Sequence, residues 1–533
     1  MSIRRVLRVM AACAVALAVA VGLGLAVLEA APSRPAVEHA DARPPTREPV
    51  RRPVVPRART IVMVVFDELP LSSLMEADGR IDAERYPSFA SLARDANWYR
   101  GATAVHDSTA MAVPAMLDGR FPRPGLHSDV YSHPANLFTL LADRYDLHVS
   151  EEATGLCPTS MCPAPATTTG SNLSHGKVRR FRRFVAAVQP SDRPALWFKH
   201  TLLPHVPWIY YPSGTRYRRS APEPITLLNG RPGFPSPWVM RVAHQRHLLQ
   251  LGLADRLLGE LLARLKRLGM FEDALVVVAA DHGISFHPGA LRRTVRRENV
   301  EDIAPVPLFV KLPGQARGRV IDDHVETIDV LPTILDVARV RVSVALDGRS
   351  MLQPVPSQAR RVQIFHRVGH ELNTVGGQYT FDVDELRERL RRAVERKVAV
   401  YGSGGGRAPE RLFRIGPHPE LIGQRVGSIQ RVPGEHTAVI HQARELRAVD
   451  PASGVVPGEL TGGVPGGRPG GGRLVAIAVN GTIEATGRTF SMRGRPTEFF
   501  EVMVPEHTFR PGANDVRAFE IVIQPGRLAL RPL

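Results

Sequence analysis

The chain has 533 residues and a hydrophobic fraction of 44%, which is enough for a packed core and excludes general disorder. Its formal net charge is +17, but the basic residues do not alternate with aromatic residues in the way that base stacking requires, so nucleic-acid binding is not predicted. We expect an anionic surface or an anionic substrate instead, because long-range attraction needs no motif. A bias of composition toward Arg, Ala, Gly and Pro explains the excess charge equally well.

A long apolar run near the amino terminus predicts a membrane anchor. It covers residues 9–28, about 20 residues and enough to cross a bilayer core. A cleaved signal usually has a shorter apolar region, and residues 29–31 match a cleavage site poorly, so an uncleaved signal anchor is favoured over a cleaved signal. Arg4, Arg5 and Arg8 precede the run and hold the amino terminus inside. We therefore expect a single-pass protein of the cell membrane whose catalytic part lies on the extracytoplasmic side.

The rest of the chain alternates between strand and helix patterns. From residue 60, short apolar runs alternate with helical patterns, which is typical of an α/β sheet with helices on both faces. The clearest helix covers 239–268, where leucines recur every three or four residues. Beyond residue 353 come a charged amphipathic helix at 382–400 and then short alternating strands, which predict a C-terminal β-rich module. The predicted boundaries are 1–31 for the anchor, 32–59 for a Pro/Arg-rich linker, 60–353 for the catalytic domain, 354–460 for an α+β extension, 461–473 for a Gly/Pro-rich linker and 474–533 for a small β-sandwich-like module.

The cysteines give a conditional prediction. Cys157 and Cys162 are close enough to close a small loop, whereas Cys13 lies in the apolar run. A zinc ribbon would need a second pair of cysteines. If the chain is exported we expect a disulfide, and if it stays in the cytosol we expect two free thiols.

Polar residues that can bind a metal follow the apolar strands. Asp67 and Glu68 follow one apolar run, and Asp281 and His282 follow another. Ligands of open α/β sheets bind outside the carboxyl ends of the strands, so these side chains should converge. Carboxylates with an imidazole suit Zn²⁺, Mn²⁺ or Mg²⁺. For any one acid alone, a strand-end cap or a salt bridge is the alternative.

A third apolar run adds further candidates. Residues 195–198 are followed by Lys199 and His200, and then by His205 in LPHVPW. Either Lys199 or His200 can face away from the site, because successive side chains of a strand alternate in direction.

A hydroxyl residue at a helix start is the candidate nucleophile. Ser108 or Thr109 begins a short apolar helix, where the common role of such a residue is an N-cap. The same position offers free backbone N–H groups and a partial positive charge, which stabilise an alkoxide and a phosphate or sulfate oxygen. Metal coordination can activate the hydroxyl.

Seven segments follow one another in the order FDELP, STAMAVPAMLDGRFP, LPHVPW, LADRLLGELLARLKRLGMFEDALVVVAADHG, VPLFVKLPG, ETIDVLPTILDVA and LDGRSM. In their order and spacing, these segments resemble the sulfatase family of the alkaline phosphatase superfamily. The resemblance covers about residues 60–352 and implies an alkaline-phosphatase-like central sheet and a divalent metal ion, Zn, Mn, Mg or Ca. A second set of Asp and His ligands is not clear in the sequence, so one ion is the default.

The resemblance also indicates a branch of the family. Thr109 aligns with the Cys or Ser that formylglycine sulfatases convert, while Met111 and Val113 stand where those enzymes have Pro and Arg. A threonine cannot become formylglycine. The segment looks like that of the lipid A phosphoethanolamine transferases, and the phosphoglycerol transferases also use threonine, which implies a transiently phosphorylated Thr109. Ala115 replaces a cysteine of the phosphoethanolamine transferases, and one membrane segment is predicted here instead of several, so the lipid substrate stays open.

The roles that the resemblance implies are carried over residue by residue. The resemblance implies that the metal ligands are Asp67, Glu68, Thr109, Asp281 and His282. It also implies that His205 contacts the substrate and that His287 in ISFHPG contacts the transferred group or the leaving group. A surface-loop histidine is the alternative for His287.

Together these predictions give a metal-dependent hydrolase or transferase. It would act on phosphoester, or on sulfate ester, groups of a lipid or glycan of the cell envelope through a covalent Thr109 intermediate. One alternative is a sulfuric ester hydrolase that works without formylglycine. Another is a non-catalytic cell-envelope binding protein on the same fold.

Overall fold

Seven strands form the central sheet in the computed structural model. Their order is β4-β5-β1-β6-β7-β2-β8, and four of the six neighbouring pairs are parallel. The strands of this sheet are β1 (Thr60–Asp67), β2 (Asn97–Tyr99), β4 (Asp146–Ser150), β5 (Ala195–Pro204), β6 (Ala274–Ala280), β7 (Leu308–Lys311) and β8 (Arg319–Ile321), while β3 (Ala102–Thr103) pairs with β9 (Val325–Glu326).

The structure describes most of the chain after residue 57, and the described residues belong to one compact unit. The described ranges are 58–162, 176–217, 236–287, 291–354, 361–369, 371–403, 408–435, 437–465, 472–491 and 497–533. The helices within them are α1 (Leu71–Leu74), α2 (Pro87–Asp95), α3 (Thr109–Asp118), α4 (Leu137–Leu141), α5 (Lys177–Ala187), α6 (Pro237–Arg267), α7 (Val300–Ile303), α8 (Val330–Ala338), α9 (Val383–Tyr401) and α10 (Ala408–Arg411).

Helices cover both faces of the central sheet. Successive side chains of a strand point to opposite faces, so Val62 and Val64 of β1 pack in one core with α2, α5 and α6. Ile61 and Met63 pack in a second core with α3, α4 and α8. A strand buried on both faces reads as a continuous apolar run, which is why β1 and β6 are so clear in the sequence. The predicted α/β sheet with helices on both faces is confirmed.

The C-terminal part of the chain is rich in β-strands, as expected. Two four-stranded antiparallel sheets have the orders β12-β13-β17-β16 and β15-β14-β18-β19. Ahead of them, β10 and β11 form a hairpin that leads into α9. The strands are β10 (Arg361–His366), β11 (Gly377–Asp382), β12 (Val439–Ile440), β13 (Glu459–Val464), β14 (Leu474–Val479), β15 (Thr482–Arg488), β16 (Phe490–Ser491), β17 (Glu498–Met503), β18 (Val516–Gln524) and β19 (Arg527–Pro532).

One of these strands ends inside the segment where a linker was expected, at 461–473. Residues 461–464 belong to β13, although Gly462 and Gly463 suggested a break. A Cβ atom at Gly462 would lie 2.3 Å from the Phe500 ring, so the glycine leaves room for an aromatic side chain of the neighbouring strand β17. Glycine here serves close packing within a sheet and not chain flexibility.

The predicted membrane anchor at residues 9–28 lies outside the described residues. Among the helices that the structure describes, none has the length and apolar character that crossing a membrane requires. Farther along the chain, Cys157 and Cys162 are joined in a disulfide, with their Cα atoms 6.1 Å apart.

Candidate active site

Three neighbouring strands bring the acidic residues together. β1 lies between β5 and β6 with parallel register, and Phe66 pairs with both Thr201 and Ala280. The residues that follow, Asp67 and Asp281, therefore meet at the carboxyl edge of the sheet, and both are buried. The backbone N–H of Asp281 donates to the carbonyl of Phe66 over 3.0 Å, which fixes the two strand ends against each other.

Asp67, Asp281 and His200 offer a set of ligand atoms for a cation. One ligand atom from each residue lies within 4.8 Å of the others. Among the described residues, Oδ2 of Asp281 and both ring nitrogens of His200 have no hydrogen-bond partner, although buried polar atoms normally have one. Burial and the neighbouring Asp281 raise the pKa of Asp67 well above its usual value, and burial raises the pKa of Asp281 to about 7. Two buried carboxylates with an unsatisfied imidazole fit a divalent metal ion.

His200 joins this set because of its place in β5. The strand extends from Ala195 to Pro204, so Lys199 and His200 lie within it and not beyond its end as expected. Their side chains alternate in direction. Lys199 bonds with Glu152 and donates to Ser150 Oγ over 3.0 Å, and it is not part of the set formed by Asp67, His200 and Asp281.

Thr109 lies at the first turn of α3 and faces the acidic residues. Its Oγ1 is 3.3 Å from Oδ1 of Asp67 and 3.2 Å from Nε2 of His282. The neighbouring Ser108 Oγ instead donates to the carbonyl oxygen of Leu372 over 2.9 Å. The structure therefore distinguishes the two hydroxyls, and only Thr109 points to the candidate metal centre.

His282 presents one defined ring nitrogen to Thr109. Its Nδ1 lies 2.8 Å from the carbonyl oxygen of Gly283, which can only accept, so Nδ1 carries the proton. Nε2 is then a lone-pair acceptor directed at the threonine hydroxyl. Burial and the nearby Arg293 keep the pKa of His282 well below its usual value, so the ring is neutral.

Arg293 stands in the middle of the site, and sequence reasoning missed it. Its guanidinium is 3.3 Å from Thr109 Oγ1, 3.0 Å from His282 Nε2 and 3.2 Å from His205 Nε2. Its Nε lies 3.0 Å from Oε1 of Glu68. The side chain keeps 12% exposure, so the cation borders the opening of the site. The signal for Arg293 in the sequence was the adjacent pair Arg292 and Arg293, which follows Asp281-His282-Gly283 and matches no motif.

Glu68 binds the arginines and is not part of the set formed by Asp67, His200 and Asp281. Its backbone has φ +57°, a left-handed conformation that is uncommon for a residue other than glycine. The carboxylate lies 2.9 Å from Arg292 and 3.0 Å from Arg293. Burial alone would raise the pKa of Glu68, but Arg292, His205 and Arg293 hold it well below its usual value. A role for Glu68 as a metal ligand stays a prediction.

The His205 loop closes another side of the site. Lys177 donates from Nζ to the His205 carbonyl over 2.6 Å, and the Gln250 side chain donates to the same oxygen over 3.0 Å. Burial lowers the pKa of Lys177 to about 8. These two side chains come from α5 and α6 and fix the loop, so His205 Nε2 meets the Arg293 guanidinium.

His287 lies in the loop that follows β6. Its backbone N–H donates to Ser285 Oγ over 3.1 Å. A catalytic part for His287 stays a prediction.

The fold and the site define an α/β protein with a candidate metal centre and a threonine hydroxyl at the carboxyl edge of its sheet. A model of the sulfatase family matches residues 59–340, more than half of the 533 residues. A model described as type I phosphodiesterase / nucleotide pyrophosphatase matches residues 242–453. The chain belongs to the sulfatase family, within the alkaline phosphatase superfamily. At the level of the family, the predicted class of metal-dependent enzyme is confirmed.

Individual relatives match only parts of the chain. Arylsulfatase K of Bos taurus is 28% identical over 168 residues, which are 32% of this chain and 30% of that protein. The multifunctional alkaline phosphatase superfamily protein PehA of Trinickia caryophylli is 35% identical over 100 residues, 18% of this chain and 19% of that protein. The matched segments thus span less than a third of these curated relatives. The solved phosphonate monoester hydrolase of Agrobacterium radiobacter has a TM-score of 0.44 and 14% identity, and the match covers 65% of this chain and 93% of that one.

Proposed function

We propose that this protein is a metal-dependent hydrolase or transferase of phosphoester groups that works through a covalent intermediate on Thr109. The observation that carries the proposal is the Thr109 hydroxyl, which lies at a helix start within 3.3 Å of Asp67, His282 and Arg293. Sulfate esters share the tetrahedral anionic centre and are the second substrate class. Phosphoesters are favoured because a threonine cannot be converted to formylglycine.

The metal would be held by the carboxylates of Asp67 and Asp281, with the imidazoles of His200 and His282 beside them. When bound, a divalent ion supplies a positive charge that lowers the pKa of a nearby hydroxyl and polarises an ester oxygen. Both acids need a cation for another reason, because two buried carboxylates next to each other are otherwise costly to ionise.

Each residue around Thr109 then has a task in group transfer. The oxygen of Thr109 forms a bond to phosphorus while the bond from phosphorus to the leaving oxygen breaks. The proton of the hydroxyl has acceptors within 3.3 Å in Asp67 Oδ1 and His282 Nε2. Arg293 and the free backbone N–H groups at the start of α3 stabilise the anionic oxygens. His205 lies beside Arg293 and can contact the leaving group. Water or an acceptor hydroxyl then attacks phosphorus and releases Thr109.

The test compares two adjacent hydroxyls. Thr109→Ala should abolish release from aryl phosphate, aryl phosphodiester and aryl sulfate substrates, while the metal content per chain stays near that of the wild type. Ser108→Ala is the matched control, because its hydroxyl bonds with Leu372 and not with the site, and it should keep turnover within a few-fold. Mass spectrometry of the quenched enzyme should find the transferred group on the peptide that contains Thr109. Undiminished turnover by Thr109→Ala would refute the proposal.

We also propose that the enzyme acts on molecules of the cell envelope from a single anchor at residues 9–28. The Cys157–Cys162 disulfide supports this proposal, since disulfides persist in oxidising compartments. In intact cells, added protease should digest the catalytic part while a cytosolic marker survives. Full protection until the membrane is permeabilised would place the enzyme on the inner side.

A further inference from the structure

Three polar residues lead into Thr109, and the structure buries all of them. His106, Asp107 and Ser108 lie between β3 and α3 with 0% exposure. Buried polar side chains normally have hydrogen-bond partners, so the partners of these residues show which segments hold this part of the chain. We name residues 106–109 the Thr109 turn.

The hairpin of β10 and β11 supplies partners for the two outer side chains. Ser108 Oγ donates to the carbonyl oxygen of Leu372 over 2.9 Å, and His106 Nε2 lies 3.1 Å from the carbonyl oxygen of Thr374. Both carbonyls belong to the loop between the two strands. The hairpin therefore holds this turn from one side.

Asp107 joins the Thr109 turn to two segments at once. Its Oδ2 accepts from the backbone N–H of Val295 over 2.8 Å, and its Oδ1 accepts from the backbone N–H of Arg367 over 3.1 Å. Val295 lies two residues beyond Arg293 in the chain. One carboxylate therefore ties the segment that carries Arg293 to the turn that carries Thr109.

The carboxylate of Asp107 also lies among buried cations. Burial and the neighbouring Arg293 lower the pKa of Arg367 to about 10, and the charge of Asp107 opposes this shift. Burial disfavours the charge of Arg293 as well, but four acids near it, one of them Asp107, raise its pKa above the ordinary value. Replacing the carboxylate would therefore leave two buried N–H groups without an acceptor and would remove a counter-charge from both arginines.

We propose that Asp107 is a positioning residue, which holds Thr109 and Arg293 at the separation that group transfer requires. This role rests on the proposed function and adds a residue to it. The Thr109 hydroxyl lies 3.3 Å from the Arg293 guanidinium, while the Asp107 carboxylate bonds to backbone N–H groups. Asp107 thus acts on the reacting hydroxyl through the backbone of other residues. A misplacement of about 1 Å at the reacting groups can cost about a hundredfold in rate.

The first test removes the tie and keeps the shape of the side chain. Asp107→Asn replaces one of the two acceptor oxygens by an amide donor, so one backbone N–H loses its acceptor. With the aryl phosphoester that the wild type releases fastest, kcat should fall about tenfold to a hundredfold while KM changes less than about threefold, because the geometry of the reaction is disturbed more than ground-state binding. Asp107→Ser keeps one acceptor oxygen and should lower kcat in the same direction, and it serves if the asparagine variant does not fold.

Ser108→Ala is the matched control on the same turn. It also removes a hydrogen bond between the Thr109 turn and a distant segment, but it leaves the bond from Val295 to Asp107 in place. It should keep kcat within a few-fold.

A double-mutant cycle with Arg293→Gln separates positioning from general support of the fold. If Asp107 acts by placing Arg293 against Thr109, Asp107→Asn should lower kcat/KM less than about threefold once Arg293 is gone. The wild type, both single variants and the double variant are also titrated with vanadate, an inorganic transition-state analogue of phosphoryl transfer, so that the cycle does not depend on measurable turnover. Asp107→Asn should raise the Kd of vanadate about tenfold or more with Arg293 present, and less than about threefold without it.

Two results would overturn the proposal. One is an equal loss from Asp107→Asn with and without Arg293, and the other is an equal loss of kcat from Asp107→Asn and Ser108→Ala. Thr109→Ala tests the proposed function separately. Retained turnover in that variant would remove the nucleophile, whereas an inactive Thr109→Ala with an additive cycle would remove only the positioning role of Asp107.

Discussion

Arg246 joins the long helix beneath the active site to the C-terminal sheets. It lies on α6 with 0% exposure, and its Nη1 is 3.2 Å from the carboxylates of both Glu459 and Glu501. Its Nη2 donates to the Trp208 carbonyl over 2.8 Å. Glu459 belongs to β13 and Glu501 to β17, which are neighbouring strands of one sheet. The buried guanidinium of Arg246 therefore pairs with one carboxylate on each of two strands that lie far from α6 in the chain. Arg246→Met keeps most of the volume and removes the charge.

We expect a large loss of stability from this single substitution. Removing one partner of a buried ion pair costs about 3–5 kcal/mol, because the remaining charge stays buried. Here two carboxylates lose the same cation, and the lost hydrogen bond to Trp208 adds about 1 kcal/mol, so the upper end of that range, about 5 kcal/mol, is expected.

Urea unfolding of the wild type and of Arg246→Met measures the difference. The triple variant Arg246→Met/Glu459→Gln/Glu501→Gln is the control, since it removes all three charges and should recover about half of the loss or more. A loss below about 1 kcal/mol for Arg246→Met would refute the reasoning, because it would mean that the carboxylates are solvated or otherwise neutralised. A change in the denaturant slope would show that the two parts no longer unfold together.

Three further predictions concern other parts of the molecule. Gly283→Ala should lower kcat/KM by about tenfold or more, because its Cβ would lie 2.1 Å from the Asp302 carbonyl oxygen and the preceding histidine must shift; steady-state kinetics against the wild type decide this. Cys157→Ser/Cys162→Ser should cost about 2 kcal/mol in urea unfolding through the lost loop constraint, and an unchanged midpoint would mean that the bond does not form. Burial, followed by the charge of a neighbouring aspartate, raises the pKa of Glu326 from 4.5 to about 8. The folded state thus holds a proton that the unfolded state releases, so this contribution to stability is complete below pH 4.5 and lost as pH rises to about 8. Glu326→Gln should flatten the pH dependence of unfolding free energy in that window, and an identical profile would contradict the assignment.

The elements around the site were predictable because their signals are local. An apolar run followed by an acid identifies the ends of β1 and β6, and a leucine repeat predicted a helix at 239–268, observed at Pro237–Arg267. Parallel strands of one sheet end at the same edge, so the meeting of Asp67 and Asp281 also follows from the pattern.

The partners of those acids depended on tertiary structure. The alternation of β5 made His200 and not Lys199 the neighbour of the acids, and the length of that strand was not visible in the sequence. Glu68 directly follows Asp67, but its carboxylate pairs with Arg292 and Arg293. Neither outcome has a signature in residue type.

Hydrophobic periodicity and strand-end acids in the sequence thus determined the class of fold, while the resemblance of its segments to the sulfatase family indicated the family and Thr109 as the candidate nucleophile. Only the tertiary structure decided which cations reach that hydroxyl. Arg293 is 184 residues away in the chain, and Lys177 acts on the site through a backbone carbonyl. The physical reason is that long, flexible side chains meet their partners through the packing of distant segments, while strands and helices arise from the spacing of neighbouring residues.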